Sequence, residues 1–165
     1  QLQRNPSGNK KPYLNTKRVQ KMSLSDDKLV SISQTVAQAL YARDIAAQRL
    51  GINIDFVDEG VAELSMTVKD WMIQGHDICH GGYIFLLADT AMAYASNSRN
   101  KANLAMNANI DFLRPAKLGE NLTASAVEGN KSKNTGLYDV KVTNEANILI
   151  GHFRGRTFNT QAEVL

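Results

Sequence analysis

Residues 82–98 are the most constraining stretch of this 165-residue chain. Ile84, Phe85, Leu86, Leu87, Ala88, Ala91, Met92, Ala93 and Ala95 leave few polar positions on any face. A helix that is apolar on most faces is buried on most faces, and its alanines let neighbouring backbones approach closely. A membrane span needs ~18 or more consecutive apolar residues, and no run here approaches that. The rest of the chain must therefore wrap this helix.

The flanking text says what wraps it. Two strand-like runs, residues 52–57 and 61–68, are split at Asp58-Glu59-Gly60, a hairpin signal. Four more strand candidates follow the helix: residues 102–113, stopped by Arg114-Pro115, then 121–128, 135–142 and 148–158. Polar turns at 129–134 and 143–147 separate the later ones. Such short connections imply antiparallel pairing. A first helix is predicted from Ser25, an N-cap candidate followed by Asp26 and Asp27, through Leu29, Ile32, Val36, Leu40 and Ala47 to Gly51. Residues 69–79 read as irregular, with the only tryptophan and Gly75. The expected fold is α+β: an antiparallel sheet of about six strands, curved around one central helix and covering it on nearly all sides. A chain of this length buries such a core without disulfide or metal staples.

Charge divides the chain. Six bases and no acids lie between Gln1 and Lys21, whereas 13 bases face 16 acids from Met22 onward. The formal net charge of +3 thus belongs to a polar leader. We expect residues 1–24 to be a flexible basic leader and 25–165 a single domain. The leader lacks the apolar core of a signal peptide. A basic arm could touch nucleic acid or an anionic membrane, but the mildly acidic domain leads us to expect neither partner. One cysteine, Cys79, excludes an intramolecular disulfide and fits a reducing, cytoplasmic setting.

One carboxylate, Asp89, interrupts the apolar helix, where an ionised acid is costly without a partner or a path to water. Gly81 and Gly82 stand where the loop enters that helix. A helix start offers free N–H groups and the positive end of the dipole, and glycines let a ligand oxygen come close, as an oxyanion site requires. Gly82 and Asp89 are seven residues apart, almost two turns, so they share a face but lie roughly 10 Å apart along the axis. One helix cannot bring both to one atom. Two antiparallel helices across a twofold axis could, which suggests a site shared by two chains.

Other constellations are weaker. His76, Cys79 and His80 have metal-like spacing, but no second Cys/His pair accompanies them and His152 is distant. Cys79 beside a histidine could be a nucleophile or a small buried hydrophobe. No G-x-S-x-G elbow, P-loop or G-x-G-x-x-G is present. Asn107, Asn109 and Asp111 alternate with Ala108 and Ile110 as on a solvated strand face. Arg114, Lys117, Lys131, Lys133, Arg154 and Arg156 are either a solvated surface or holders of a phosphate-bearing substrate. No metal or cofactor is expected.

The text "GHDICHGGYIFLLADTAMAYASNS", with "NANIDFLRPAKLGENLTASA" and "GLYDVKVTN…GHFRGRTF" after it, resembles the hotdog-fold acyl-CoA thioesterases of the phenylacetate-degradation family. The resemblance spans about residues 39–158. It implies a hotdog fold, chains paired as a homodimer with sites at the interface, and dimers joined as a homotetramer. It implies hydrolysis of acyl-CoA, aromatic by preference. Carried over, the family's HGG step falls on His80, Gly81 and Gly82, with the Gly81 N–H polarising the thioester carbonyl. The acid falls on Asp89 of the other chain, as base or nucleophile, followed by Thr90. Two positions depart from the family: Gln74 stands for an asparagine, and Arg43 for an asparagine before Asp44. Gln74, Gly82 and Thr90 would then line the substrate site, with Arg114 and Arg154 as bases at the rim. The same fold could also serve as a non-catalytic acyl-CoA sensor. A hotdog dehydratase would need a different His–acid motif, which is not seen here.

Overall fold

The computed structural model describes residues 30–165. The elements run α1 (Ile32–Tyr41), α2 (Ile45–Leu50), β1 (Asn53–Asp58), β2 (Val61–Thr67), a 3₁₀ turn (Asp70–Met72), α3 (Gly81–Asn97), β3 (Asn103–Phe112), β4 (Asn121–Lys131), β5 (Thr135–Asn144) and β6 (Leu149–Asn159). The six strands form one sheet in the order β1-β2-β4-β5-β6-β3. Every neighbouring pair is antiparallel. This is the expected helix-in-sheet arrangement.

The first helix differs from expectation. It is capped at Ser31, whose hydroxyl accepts the Gln34 N–H while the Gln34 side chain accepts the Ser31 N–H. Ser25, Asp26, Asp27 and Leu29, like the leader at 1–24, lie outside the described residues. The predicted helix also does not run unbroken to Gly51. It stops at Tyr41 and restarts at Ile45, because the Asp44 carboxylate accepts the Ala47 N–H at 3.0 Å and caps a new helix. Gly51 does close α2, at φ 68°. The strand β4 runs past its predicted end to Lys131, absorbing Gly129 as a bulge between Glu128 and Asn130.

α3 lies across the concave face of the sheet and touches every strand from β1 to β6. Leu64, Met66, Leu122, Val140, Val142 and Phe153 of the sheet meet Ile84, Leu87, Ala88, Ala91, Met92 and Ala95 of the helix in one core. Each large side chain so buried contributes ~1.5–3 kcal/mol before entropy is counted. Phe85 meets Phe153 edge to face at 5.2 Å. Gly155 makes the closest approach: a Cβ there would run into Met92 and Phe153.

Coverage of α3 is less complete than expected. Tyr83, Leu86, Asp89, Thr90 and Ala93 are only half-buried, and they recur at helical spacing along one stripe. One six-stranded sheet curls around one side of a helix, so this opposite stripe stays partly open within the chain. Among the described residues no helix is long and apolar enough to cross a membrane.

Candidate active site

The loop before α3 is tied down from both sides. The 3₁₀ turn buries Met72 completely. The Met72 carbonyl accepts the His80 N–H at 2.8 Å, and the Cys79 N–H donates to the Ala116 carbonyl at 2.8 Å. Ile73 and Cys79 form an isolated antiparallel bridge, and the Gln74 N–H donates to the Ile78 carbonyl at 2.9 Å. The segment read as irregular is therefore a fixed hairpin-like platform that sets the entry of α3.

His80 is the N-cap of α3, and its Nδ1 accepts the Gly82 N–H at 2.9 Å. A ring nitrogen that accepts carries no proton, so the proton of the neutral ring sits on Nε2. The Gly81 N–H belongs to the first turn, where no intrahelical acceptor exists, and it donates to none of the described residues. Gly81 is half-buried, and the ring of Phe112 on β3 lies against it. A helix start with one N–H capped and the next one free suits a developing oxyanion.

Gln74, His80 and Gly82 line one cavity of about 370 Å³ with Trp71, Met72, Ile73, Tyr83 and Leu86. Three of the expected site residues thus come together, beside Gly81. Asp89 and Thr90 do not join them; they lie further along the open stripe of the same helix. Asp89 is half-buried, its carboxylate has no hydrogen-bond partner among the described residues, and burial pushes its pKa above the ordinary range. Thr90 returns its hydroxyl to the Leu86 carbonyl at 2.7 Å.

The two expected rim bases do not line this cavity. Arg114 donates to the Leu149 carbonyl at 3.0 Å. Arg154, on β6, holds Asp139 through two hydrogen bonds of 2.7 and 3.0 Å. Arg43 and Gln74 fall in different cavities. Arg43 lines a second one, about 530 Å³, with Asp44, Tyr94 and Asn97, and donates to the carbonyls of Ala39 and Val164. The Tyr94 hydroxyl beside it is buried without a partner among the described residues. Residues that sequence reasoning passed over are Trp71, Tyr83 and Leu86; the lone tryptophan was the available signal. His76 is exposed and Cys79 buried. Among the described residues no three His, Cys, Asp or Glu side chains group to hold a metal ion.

A six-stranded antiparallel sheet curled about one central helix is the hotdog fold. The thioesterase superfamily profile matches residues 76–150. The acyl-coenzyme A thioesterase PaaI of Escherichia coli K12 is 46% identical over 121 residues, covering 73% of this chain and 86% of that protein. A putative esterase of Archaeoglobus fulgidus is 35% identical over 145 residues, 88% of this chain and 94% of its own. The solved structure of E. coli PaaI, from the phenylacetic acid degradation operon, matches with a TM-score of 0.80 at 42% identity, over 82% of this chain and 99% of that one. The chain belongs to the thioesterase superfamily, and its reaction class is thioester hydrolysis.

Proposed function

We propose that this protein hydrolyses acyl-CoA thioesters, preferring aromatic, phenylacetyl-type acyl groups, at a site built by two chains. The observation that carries the reading is that, among the described residues, the Gly81 N–H at the start of α3 has no acceptor and the Asp89 carboxylate on the open stripe of the same helix has no partner. In this reading the thioester carbonyl oxygen accepts from Gly81 N–H, and the His80 Nε2–H is a second donor beside it. Asp89 of the partner subunit supplies the acid. As a base it removes a proton from water while the water oxygen bonds to the carbonyl carbon; the C–S bond then breaks, and the thiolate leaves with that proton. As a nucleophile its oxygen bonds to the same carbon, the C–S bond breaks and the CoA thiolate leaves; water then cleaves the resulting anhydride, which frees the acid, restores the Asp89 carboxylate and yields the proton the thiolate takes up. Gly82, Gln74 and Thr90 line the substrate path, and Arg114 and Arg154 stand as bases toward the CoA phosphates.

Pairing of chains is supported by what one chain leaves open. The edge strand β3 exposes Leu104, Met106 and Phe112, at 65%, 55% and 54% of their surface. An exposed apolar edge invites a second copy. A homodimer across this edge, doubled into a homotetramer, is the assembly we infer, in a reducing cytoplasmic setting. E. coli PaaI, which is named for acyl-coenzyme A thioester chemistry, supports the substrate class.

The test is thiol release from a panel of aryl- and alkyl-CoA esters, wild type beside Asp89→Asn. Turnover in the wild type and its loss in the variant is the expected result. Tight ester binding with no turnover by the wild type would instead make this a sensor.

A further inference from the structure

Trp71 is 53% exposed, although it is the largest apolar side chain in the protein and its neighbour Met72 is fully buried. Large aromatic rings left in solvent beside a cavity are characteristic of recognition surfaces. The main chain that carries the ring is held: the Asp70 carboxylate accepts the Trp71 backbone N–H at 2.8 Å, and the next carbonyl, that of Met72, accepts the His80 N–H. The indole meets Tyr83 edge to face, with centroids 5.5 Å apart. Tyr83 in turn stands edge-on to His80 at 6.2 Å. Three rings therefore run in sequence from the cavity wall to the helix cap, beside the free Gly81 N–H.

The other walls are Ile73, Leu86 and the Gln74 amide. A cavity of about 370 Å³ falls within the ~300–1,000 Å³ range of small-molecule sites. Apolar walls with one amide do not suit the highly charged nucleotide end of CoA. They suit the group on the other side of the carbonyl. A planar acyl group gains offset or edge-on ring contacts here that an alkyl group of equal area cannot make.

We propose that Trp71, braced by Tyr83, is the specificity-determining wall of the acyl site and selects aromatic acyl groups. The inference rests on the thioesterase reading above and names which part of the site chooses the substrate.

Trp71 is the only tryptophan of the chain, so its emission reports on this wall directly. The full-length protein is titrated with the non-hydrolysable thioether analogues of phenylacetyl-CoA and acetyl-CoA, and with CoA alone. A saturable shift or quench is expected with the aryl analogue, and little change with the other two. In parallel, kcat/KM is measured for phenylacetyl-CoA and acetyl-CoA. Trp71→Ala should lower the aryl-to-acetyl ratio by about tenfold or more, while Trp71→Phe keeps most of it. An aryl analogue that binds by calorimetry with unchanged emission, or an unaltered ratio in Trp71→Ala, overturns the proposal while leaving the thioesterase reading in place. Failure to hydrolyse or bind any thioester overturns both.

Discussion

Phe112 and Gly81 are in contact across the seam between the edge strand β3 and the start of α3: a Cβ built on Gly81 would lie 2.8 Å from the Phe112 ring. The glycine is thus required by packing as well as by access to its N–H. Gly81→Ala should cost about 1 kcal/mol through forced displacement of the ring and lower kcat/KM by about tenfold or more by moving the oxyanion donor. Adding Phe112→Ala should restore stability but not rate. Thermal melts and kinetics of the two variants decide this; a single variant with full rate would remove Gly81 from the carbonyl site.

Asp89 gives a paired expectation. Burial raises its carboxyl pKa in the folded chain, so the folded state binds its proton more tightly than the unfolded state does. Stability is then lost as the pH rises from the unfolded carboxylate range through the raised folded value, and the penalty persists at neutral pH. Asp89→Asn should therefore melt higher than wild type at pH 7, with the difference shrinking toward pH 4. Its turnover should fall by roughly 10²–10⁴-fold. A variant that melts lower at pH 7 would assign Asp89 a structural partner.

The same shift predicts the acid limb of the rate profile. kcat/KM should fall as the pH drops through the Asp89 value, and that limb should lie above the ordinary carboxylate range. A limb at or below that range would separate the catalytic acid from this residue.

Cys79 should prove inert. It is fully enclosed, its thiol is pushed up to about 11 by burial, and its Sγ faces the His80 carbonyl. An aromatic disulfide reagent at pH 8 should react with it only on unfolding, and Cys79→Ala should retain turnover. Rapid labelling of the native protein together with loss of activity in the variant would revive the thiol as a nucleophile.

Glu128 closes a polar knot between α3 and the sheet, accepting from Arg99 and from the Tyr138 hydroxyl, each at 2.8 Å. Burial alone would raise its carboxyl, but these two donors outweigh it and hold it below the usual value. Its stabilising contribution is therefore present above the unfolded carboxylate range and lost as the pH falls through the lowered folded value. Glu128→Ala should cost about 1–3 kcal/mol at neutral pH, and less as the pH falls below 4, as urea melts at two pH values would show.

Periodicity and turn chemistry made most of the fold legible. The apolar run ending in "MAYASN" reads as a buried helix, Asp58-Glu59-Gly60 reads as a hairpin turn, and the succession of elements along the chain agrees with the structure; their order in the sheet was not legible, because β3 pairs with β6 and not with the next strand, β4. These are local signals, set by side-chain period and backbone φ, and they survive without knowledge of neighbours. The break at Asp44 was readable as an N-cap, yet the apolar spacing on either side of it matched one continuous helix. Gly129 looked like a turn because a bulge and a turn use the same residue. Site residues divide in the same way. Gly81, Gly82 and His80 are adjacent in the chain, so sequence alone places them at one helix start. That Asp89 lies on the stripe the sheet leaves open, and that Trp71 stands over Tyr83 beside His80, depends on which side of α3 the strands cover. Only tertiary packing decides that, because a helix apolar on nearly every face carries no local preference for the face it presents to the sheet.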